Sequence, residues 1–178
     1  MIKYLGIIGF LLLFIYDYNQ ISWHHKYIKS GFFLGFFLIV AGTIANMDLE
    51  ISNIWGIVIA LVGLLTTIYV LFFALNFDDT YINEEFKVYD KGVYALCRHP
   101  GFWTLLLMYV GLWIAYQDAT WLWILVVYNS CNLLYIIYQD VFIFIKVFSD
   151  YGNYKTYVPF LIPTFESIKN CVAFFRHK

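Results

Sequence analysis

The chain has 178 residues, of which 62% are hydrophobic and 13% charged, with a formal net charge of −1. A soluble domain carries about 25% charged residues, so this composition cannot clothe a water-facing surface. The near-zero charge balance offers no basic field for nucleic acid. An integral membrane protein remains: a single all-α domain spanning residues 1–178.

Charge-free apolar runs can be measured against the ~20 residues a helix needs to cross the hydrocarbon core. They predict five transmembrane helices, at about 4–18, 30–47, 52–77, 101–117 and 119–147. The first is short and needs Lys3 and Asp17 at the interfaces. Bulky Tyr16 and Tyr18, with no small-residue cleavage pattern, argue against a signal peptide. The third is long and predicts tilt. Two connections, Asp48–Glu50 and Gln117–Asp118, are tight and predict antiparallel hairpins. The acidic group Asp78, Asp79, Glu84 and Glu85 in a longer loop reads as a solvated face rather than a metal cluster. Cys97, Cys131 and Cys171 are odd in number and lack CxxC spacing, so neither a disulfide framework nor a zinc site is expected.

Lys26, Lys29, Lys87, Lys91 and Arg98 fall in the long loops, and Lys155, Lys169, Arg176 and Lys178 follow the last span. The positive-inside rule therefore predicts a cytoplasmic C-terminus and an external N-terminus. Trp23, Trp55, Trp121 and Trp123 lie near span ends, as interfacial rings do. After Pro159 and Pro163, the apolar residues Phe165, Ile168, Val172 and Phe175 recur at helical spacing among basic residues. This predicts an amphipathic tail helix on the membrane surface.

Polar groups in or beside a membrane span are costly, so those present are candidate functional residues. Arg98 and His99 precede Pro100, which opens a helix at its first position. They are placed to hold an anion, or alternatively to snorkel towards lipid phosphates. On the fifth span Asn132, Gln139 and Lys146 are seven apart and are expected on one face, with Asp140 a quarter-turn round. Such residues serve equally as glue between helices. Seventeen residues from Pro100 rise about 26 Å and the return to Asp140 about 33 Å, so Arg98 and Asp140 are expected at one level.

Gly92, Tyr94, Arg98, His99 and Pro100, followed downstream by Tyr154, Val158, Pro159 and Pro163, form a pattern that resembles the isoprenylcysteine carboxyl methyltransferase family. That family belongs to a wider group of membrane methyltransferases that includes phospholipid methyltransferases. The resemblance covers residues 88–163 and implies a cytoplasmic site for S-adenosylmethionine, closed by a C-terminal lid. It also implies a lipophilic acceptor that arrives from the membrane lipid. Carried over, it implies cofactor contacts from Tyr94, Arg98, His99, Pro100, Gln139, Asp140 and Tyr154, with Arg98, His99 and Asp140 at the reacting groups. Phe102, Thr104 and the Gln139–Asp140 pair stand where the family has a tyrosine, a glycine and paired glutamates. Those differences frame an alternative, a catalytically silent membrane scaffold or lipid-binding protein. A nicotinamide-dependent membrane reductase of similar architecture is a further one.

Overall fold

The structure, a computed structural model, describes residues 2–74 and 87–176. The acidic group between Asp78 and Glu85, and Lys178, lie outside the described residues. Every regular element among the described residues is helical. In chain order they are α1 (Leu5–Tyr18), α2 (Gly31–Ile44), α3 (Ile54–Ile68), α4 (Val93–Leu96), α5 (Pro100–Tyr116), α6 (Ala119–Tyr138), α7 (Phe144–Val147), α8 (Tyr151–Tyr157) and α9 (Phe165–Arg176). Wider π-helical turns extend α1 through Asn19–Trp23 and α3 through Tyr69–Phe73, and join α6 to α7 through Gln139–Ile143. Four continuous helical stretches are long and apolar enough to cross a membrane: Ile2–Trp23, Lys26–Ile44, Ile54–Phe73 and Ala119–Val147. The remaining apolar helix, Pro100–Tyr116, is shorter, at 17 residues. The protein is a multi-pass membrane protein.

Lipid tails are as apolar as leucine, so helices in a bilayer associate through close packing and hydrogen bonds rather than by hiding from water. Small residues make that packing possible here. α3 lies along α5, with Gly56, Ala60 and Gly63 facing Gly111, Ala115 and Met108. A Cβ at Gly56, Gly63 or Gly111 would run into the partner's backbone. α1 and α2 approach in the same way at Gly9 and Gly35.

Buried hydroxyls stitch the bundle together. Thr43 on α2 and Tyr109 on α5 share a hydrogen bond of 2.9 Å. The Tyr128 hydroxyl donates to the Lys3 carbonyl and accepts from Gly6 N–H, both at 3.0 Å, which fixes the start of α1 against α6.

The connections reflect local chemistry. Gln117 takes a left-handed conformation (φ +54°), and the Asp118 carboxylate accepts from Trp121 N–H at 2.8 Å. Together these turn the chain and cap α6, giving the predicted tight hairpin. The Asp48–Glu50 connection is less tight: the backbone is non-helical to Asn53, and Ser52 and Asn53 both donate to the Ala115 carbonyl. Gly92 has φ +59°, where a side chain is strained, and Phe174 of α9 lies over it.

The expectation that Asn132, Gln139 and Lys146 share a face needs correction. The π-turn at Gln139–Ile143 inserts extra backbone and rotates α7 relative to α6. Asn132 is buried in the bundle, whereas Lys146 is exposed.

Gly111→Ala should destabilise the bundle by about 1–3 kcal/mol, because the added methyl meets the Ala60 backbone. Gly152→Ala, in a helix with nothing near the new Cβ, should be neutral or stabilising by up to about 1 kcal/mol. Thermal unfolding in detergent micelles compares the two.

Candidate functional site

The site lies where the start of α5, the π-turn and α8 converge. Pro100 opens α5 at its first position, which leaves Arg98 and His99 in non-helical backbone just ahead of it. Arg98 N–H donates to the Pro159 carbonyl at 2.9 Å, which locks the segment after α8 onto this strap. The Trp103 indole donates to the Leu161 carbonyl at 2.8 Å and extends the same seam. Pro159 and Pro163 cannot continue α8, so the chain crosses this end of the bundle before α9 begins.

Asp140 is the centre of the site and only 4% exposed. Arg98 Nε lies 2.9 Å from its Oδ1 and Arg98 Nη2 lies 3.5 Å from its Oδ2. Lys155 Nζ reaches Oδ2 at 2.8 Å. The Tyr151 hydroxyl donates to Oδ1 at 2.7 Å, and His99 Nε2 lies 3.5 Å from the same oxygen. The Arg98 Nε and His99 Nε2 contacts are electrostatic: neither atom makes an aligned hydrogen bond. The guanidinium also donates from Nη1 to the carbonyls of Lys155 and Val158, at 3.3 and 3.4 Å.

The charge count is unequal. Arg98 and Lys155 bring two permanent cations to a single carboxylate. Among the described residues no second carboxylate lies within ion-pair distance of either. The lysine side chain is the part most open to solvent, at 29%.

Aromatic rings form the walls. The His99 ring stacks on Phe144 with centroids 5.9 Å apart and meets the edge of Phe160 at 5.1 Å. Burial outweighs the pull of Asp140 and holds the His99 pKa below its ordinary value. His99 is therefore neutral at physiological pH, with Nε2 facing Asp140. Tyr151 and Tyr154 are 2% and 3% exposed, and burial pushes both phenols well above the usual range. The Tyr154 hydroxyl donates to the Tyr94 carbonyl at 2.7 Å, and the Tyr94 hydroxyl donates to the Val70 carbonyl at 3.0 Å. Tyr157 is 49% exposed and donates to Asp90 at 3.0 Å, away from the cluster.

Arg98, His99 and Asp140 thus meet, and Tyr94, Pro100 and Tyr154 lie in the surrounding frame. Gln139 turns the other way. Its amide nitrogen donates to Asp17 of α1 and to the Tyr135 hydroxyl, both at 2.9 Å. Sequence reading did not place Lys155 or Tyr151 against Asp140. Their spacing of four residues puts both on one face of α8, and that periodicity was the available signal. Thr104 donates to the Gly101 carbonyl at 3.0 Å and accepts from Thr67 at 2.9 Å, so it ties α5 to α3.

Asp140→Asn leaves two cations facing a neutral amide and should cost about 3 kcal/mol of stability. Tyr151→Phe, which removes one hydrogen bond, should cost about 1–2 kcal/mol. Denaturant titration in micelles measures both. His99 also gives stability a pH dependence. Its native pKa lies below the unfolded value of about 6.5, so its contribution is present above that pH and lost as pH falls through it. The loss reaches at most about 1.4 kcal/mol per pH unit. Between pH 7.5 and 5.5 wild type should lose more stability than His99→Gln.

Comparison with known proteins gives one family. Residues 18–156 match the family described as "Protein of unknown function (DUF1295)". No curated protein and no solved structure matches the chain. The matched stretch runs from the end of α1 into α8, covers most of the chain and contains the whole Asp140 cluster. The chain belongs to the DUF1295 family of membrane proteins.

Proposed function

We propose that the protein transfers the methyl group of S-adenosylmethionine to a lipophilic acceptor at the cytoplasmic membrane face. The observation that carries this reading is the charge imbalance around Asp140. Two permanent cations and a neutral histidine surround one carboxylate in a largely buried setting, and this leaves a single positive charge to be balanced. An amino-acid carboxylate balances it. The spare cation therefore supports the carboxylate of the amino-acid end of S-adenosylmethionine as the group held here. Phe144, which is half-buried, offers a ring on which an adenine can stack. The resemblance of residues 88–163 to the isoprenylcysteine carboxyl methyltransferase pattern supports a cofactor-using membrane enzyme.

The chemistry such a cofactor supplies is a methyl group already activated on a sulfonium sulfur: an acceptor–methyl bond forms as the sulfur–methyl bond breaks. This chain's residues then have three tasks: alignment, exclusion of water and charge balance. Arg98 and Lys155 hold the anionic end. The seam from Arg98 to Pro159 and from Trp103 to Leu161 keeps water out. Neutral His99 is the proton acceptor available to an acceptor that arrives protonated, and a carboxylate acceptor needs none. The excess of lysine and arginine on this side of the bundle supports a cytoplasmic location, with the C-terminus inside and the N-terminus outside.

A second reading has its own support. Arg98 uses its donors on Asp140 and on two carbonyls, which suits a clasp in a catalytically silent membrane scaffold.

Calorimetry in detergent separates these readings. Wild type should bind S-adenosylmethionine, Arg98→Ala should abolish binding, and Tyr154→Ala should weaken it roughly tenfold, equivalent to about 1.4 kcal/mol. Lack of binding by wild type would favour the scaffold. Binding of a reduced nicotinamide dinucleotide instead would assign the site to a reductase.

A further inference from the structure

The tail helix α9 is held by one face and bare on another. At its start the Thr164 N–H donates to Ser167 Oγ at 2.9 Å, and the Ser167 N–H donates to Thr164 Oγ1 at 3.2 Å, so the first turn is capped reciprocally. Ser167 is buried. Farther along, the Phe174 ring lies over Gly92, 3.3 Å from where a Cβ would stand. α9 therefore packs on α4 through its Ser167 and Phe174 side, which fixes its rotation about its own axis.

That rotation turns an apolar stripe outward. Phe165, Ile168, Val172 and Phe175 recur every three or four residues, and all four are exposed, Phe165 by 87%. At about 100° per residue, Lys169 and Arg176 stand within about 40° of Phe165, on one flank of the stripe, and Glu166 lies beyond them. Left in water, such a stripe is unfavourable in proportion to its apolar area.

The bilayer is the surface at hand. α9 follows closely on the Leu161 carbonyl, which the Trp103 indole holds at the first turn of α5, so it begins beside the end of an apolar helix of the bundle. Trp103 is itself exposed, as a ring at the lipid–water boundary is. With 12 residues α9 is about 18 Å long, well short of the ~30 Å hydrocarbon core, and it carries charge, so it does not cross. An apolar stripe bordered by basic residues suits a helix lying in the plane of the interface.

We propose that α9 lies flat in the leaflet beside the Asp140 site and binds the headgroups of anionic lipids through Lys169 and Arg176. The stripe enters the acyl boundary, and the two basic side chains reach back to the headgroups. A neutral leaflet satisfies the stripe alone. Two cations on one flank of it add the preference for negative charge. The packed face meanwhile keeps Phe174 on Gly92, so one helix joins the lipid surface to the segment that leads to Arg98. The proposal is independent of the methyl-transfer reading.

The test uses the full chain in nanodiscs, without S-adenosylmethionine. Cys131→Ala and Cys171→Ala leave only Cys97, which is fully buried. A nitrobenzoxadiazole fluorophore is attached through Val172→Cys on the stripe, or through Asn170→Cys on the opposite, exposed side. The quencher is a trace of phosphatidylcholine or phosphatidylglycerol with a nitroxide near the ester end of its acyl chain. Quenching should be strong at position 172 and weak at 170. At equal mole fraction, phosphatidylglycerol should quench position 172 several-fold more than phosphatidylcholine. That preference should fall at high salt and vanish in Lys169→Gln/Arg176→Gln. Weak quenching at both positions would overturn the proposal, and blue-shifted emission at 172 in that case would point to a second copy as the cover. Equal quenching by the two lipids, or a preference that survives in the double variant, would overturn it as well. A second measurement needs no label. Native mass spectrometry after extraction from an equal mixture of the two lipids should find several-fold more phosphatidylglycerol on wild type than on Lys169→Gln/Arg176→Gln. Equal amounts would count against the proposal in the same way.

Discussion

A carboxylate held almost out of solvent at the end of a membrane helix must be neutralised by its neighbours, and the whole of this end of the protein is arranged around that need. Asp140 cannot reach water. It draws Arg98 from the strap before α5, Lys155 and Tyr151 from α8, and the His99 ring between them. These partners come from two separate parts of the chain, so satisfying one charge fixes the relative positions of α5, the π-turn and α8. The backbone seam from Arg98 to Pro159 is set by the same placement. Removing the carboxylate therefore disturbs fold and site together, because its cationic partners would be left in low dielectric without an anion.

The π-turn at Gln139–Ile143 is the local device that makes this possible. A regular α-helix would carry Gln139, Asp140 and Lys146 onward along one continuous spiral. Gln139 faces α1 and Asp140 faces α8, about a quarter-turn apart as successive helical residues are, and the wider turn shifts the register of the residues after it, among them the exposed Lys146. Turns of this type recur at functional sites because they re-aim one or two side chains without ending the helix. Here two buried acids, Asp17 and Asp140, are served by adjacent residues of one turn. The first has a neutral partner and the second has a surplus of cations.

Elsewhere the bundle relies on intimate backbone approach and a few buried hydroxyls, as expected where lipid competes with side chains for apolar contact. The glycine and alanine faces of α3 and α5 bring these helices close. The Thr67–Thr104 hydrogen bond lies at the end of the same contact nearest the site. Thr104, which differs from the glycine of the methyltransferase pattern, is thus explained as a stitch between helices. The family match extends over this framework as well as over the cluster.

Composition and charge-free runs were enough to establish a membrane protein and to place its apolar helices, because the cost of burying charge in lipid is written directly into where charges are missing. Proline and glycine marked the start of α5, the break after α8 and the turn at Gly92, since those residues restrict or free the backbone locally. Matching rise along the 117–118 hairpin was enough to bring Arg98 and Asp140 to one level. The rest depended on long-range contacts. Lys155 and Tyr151 look like an interfacial lysine and tyrosine until α8 folds back onto Asp140. Gln139 looks like the partner of Asp140 until packing against α1 gives it to Asp17, more than a hundred residues away. Hydrogen bonds and ion pairs that join distant elements leave no periodic trace in the chain. Only the tertiary structure decides which polar group neutralises which.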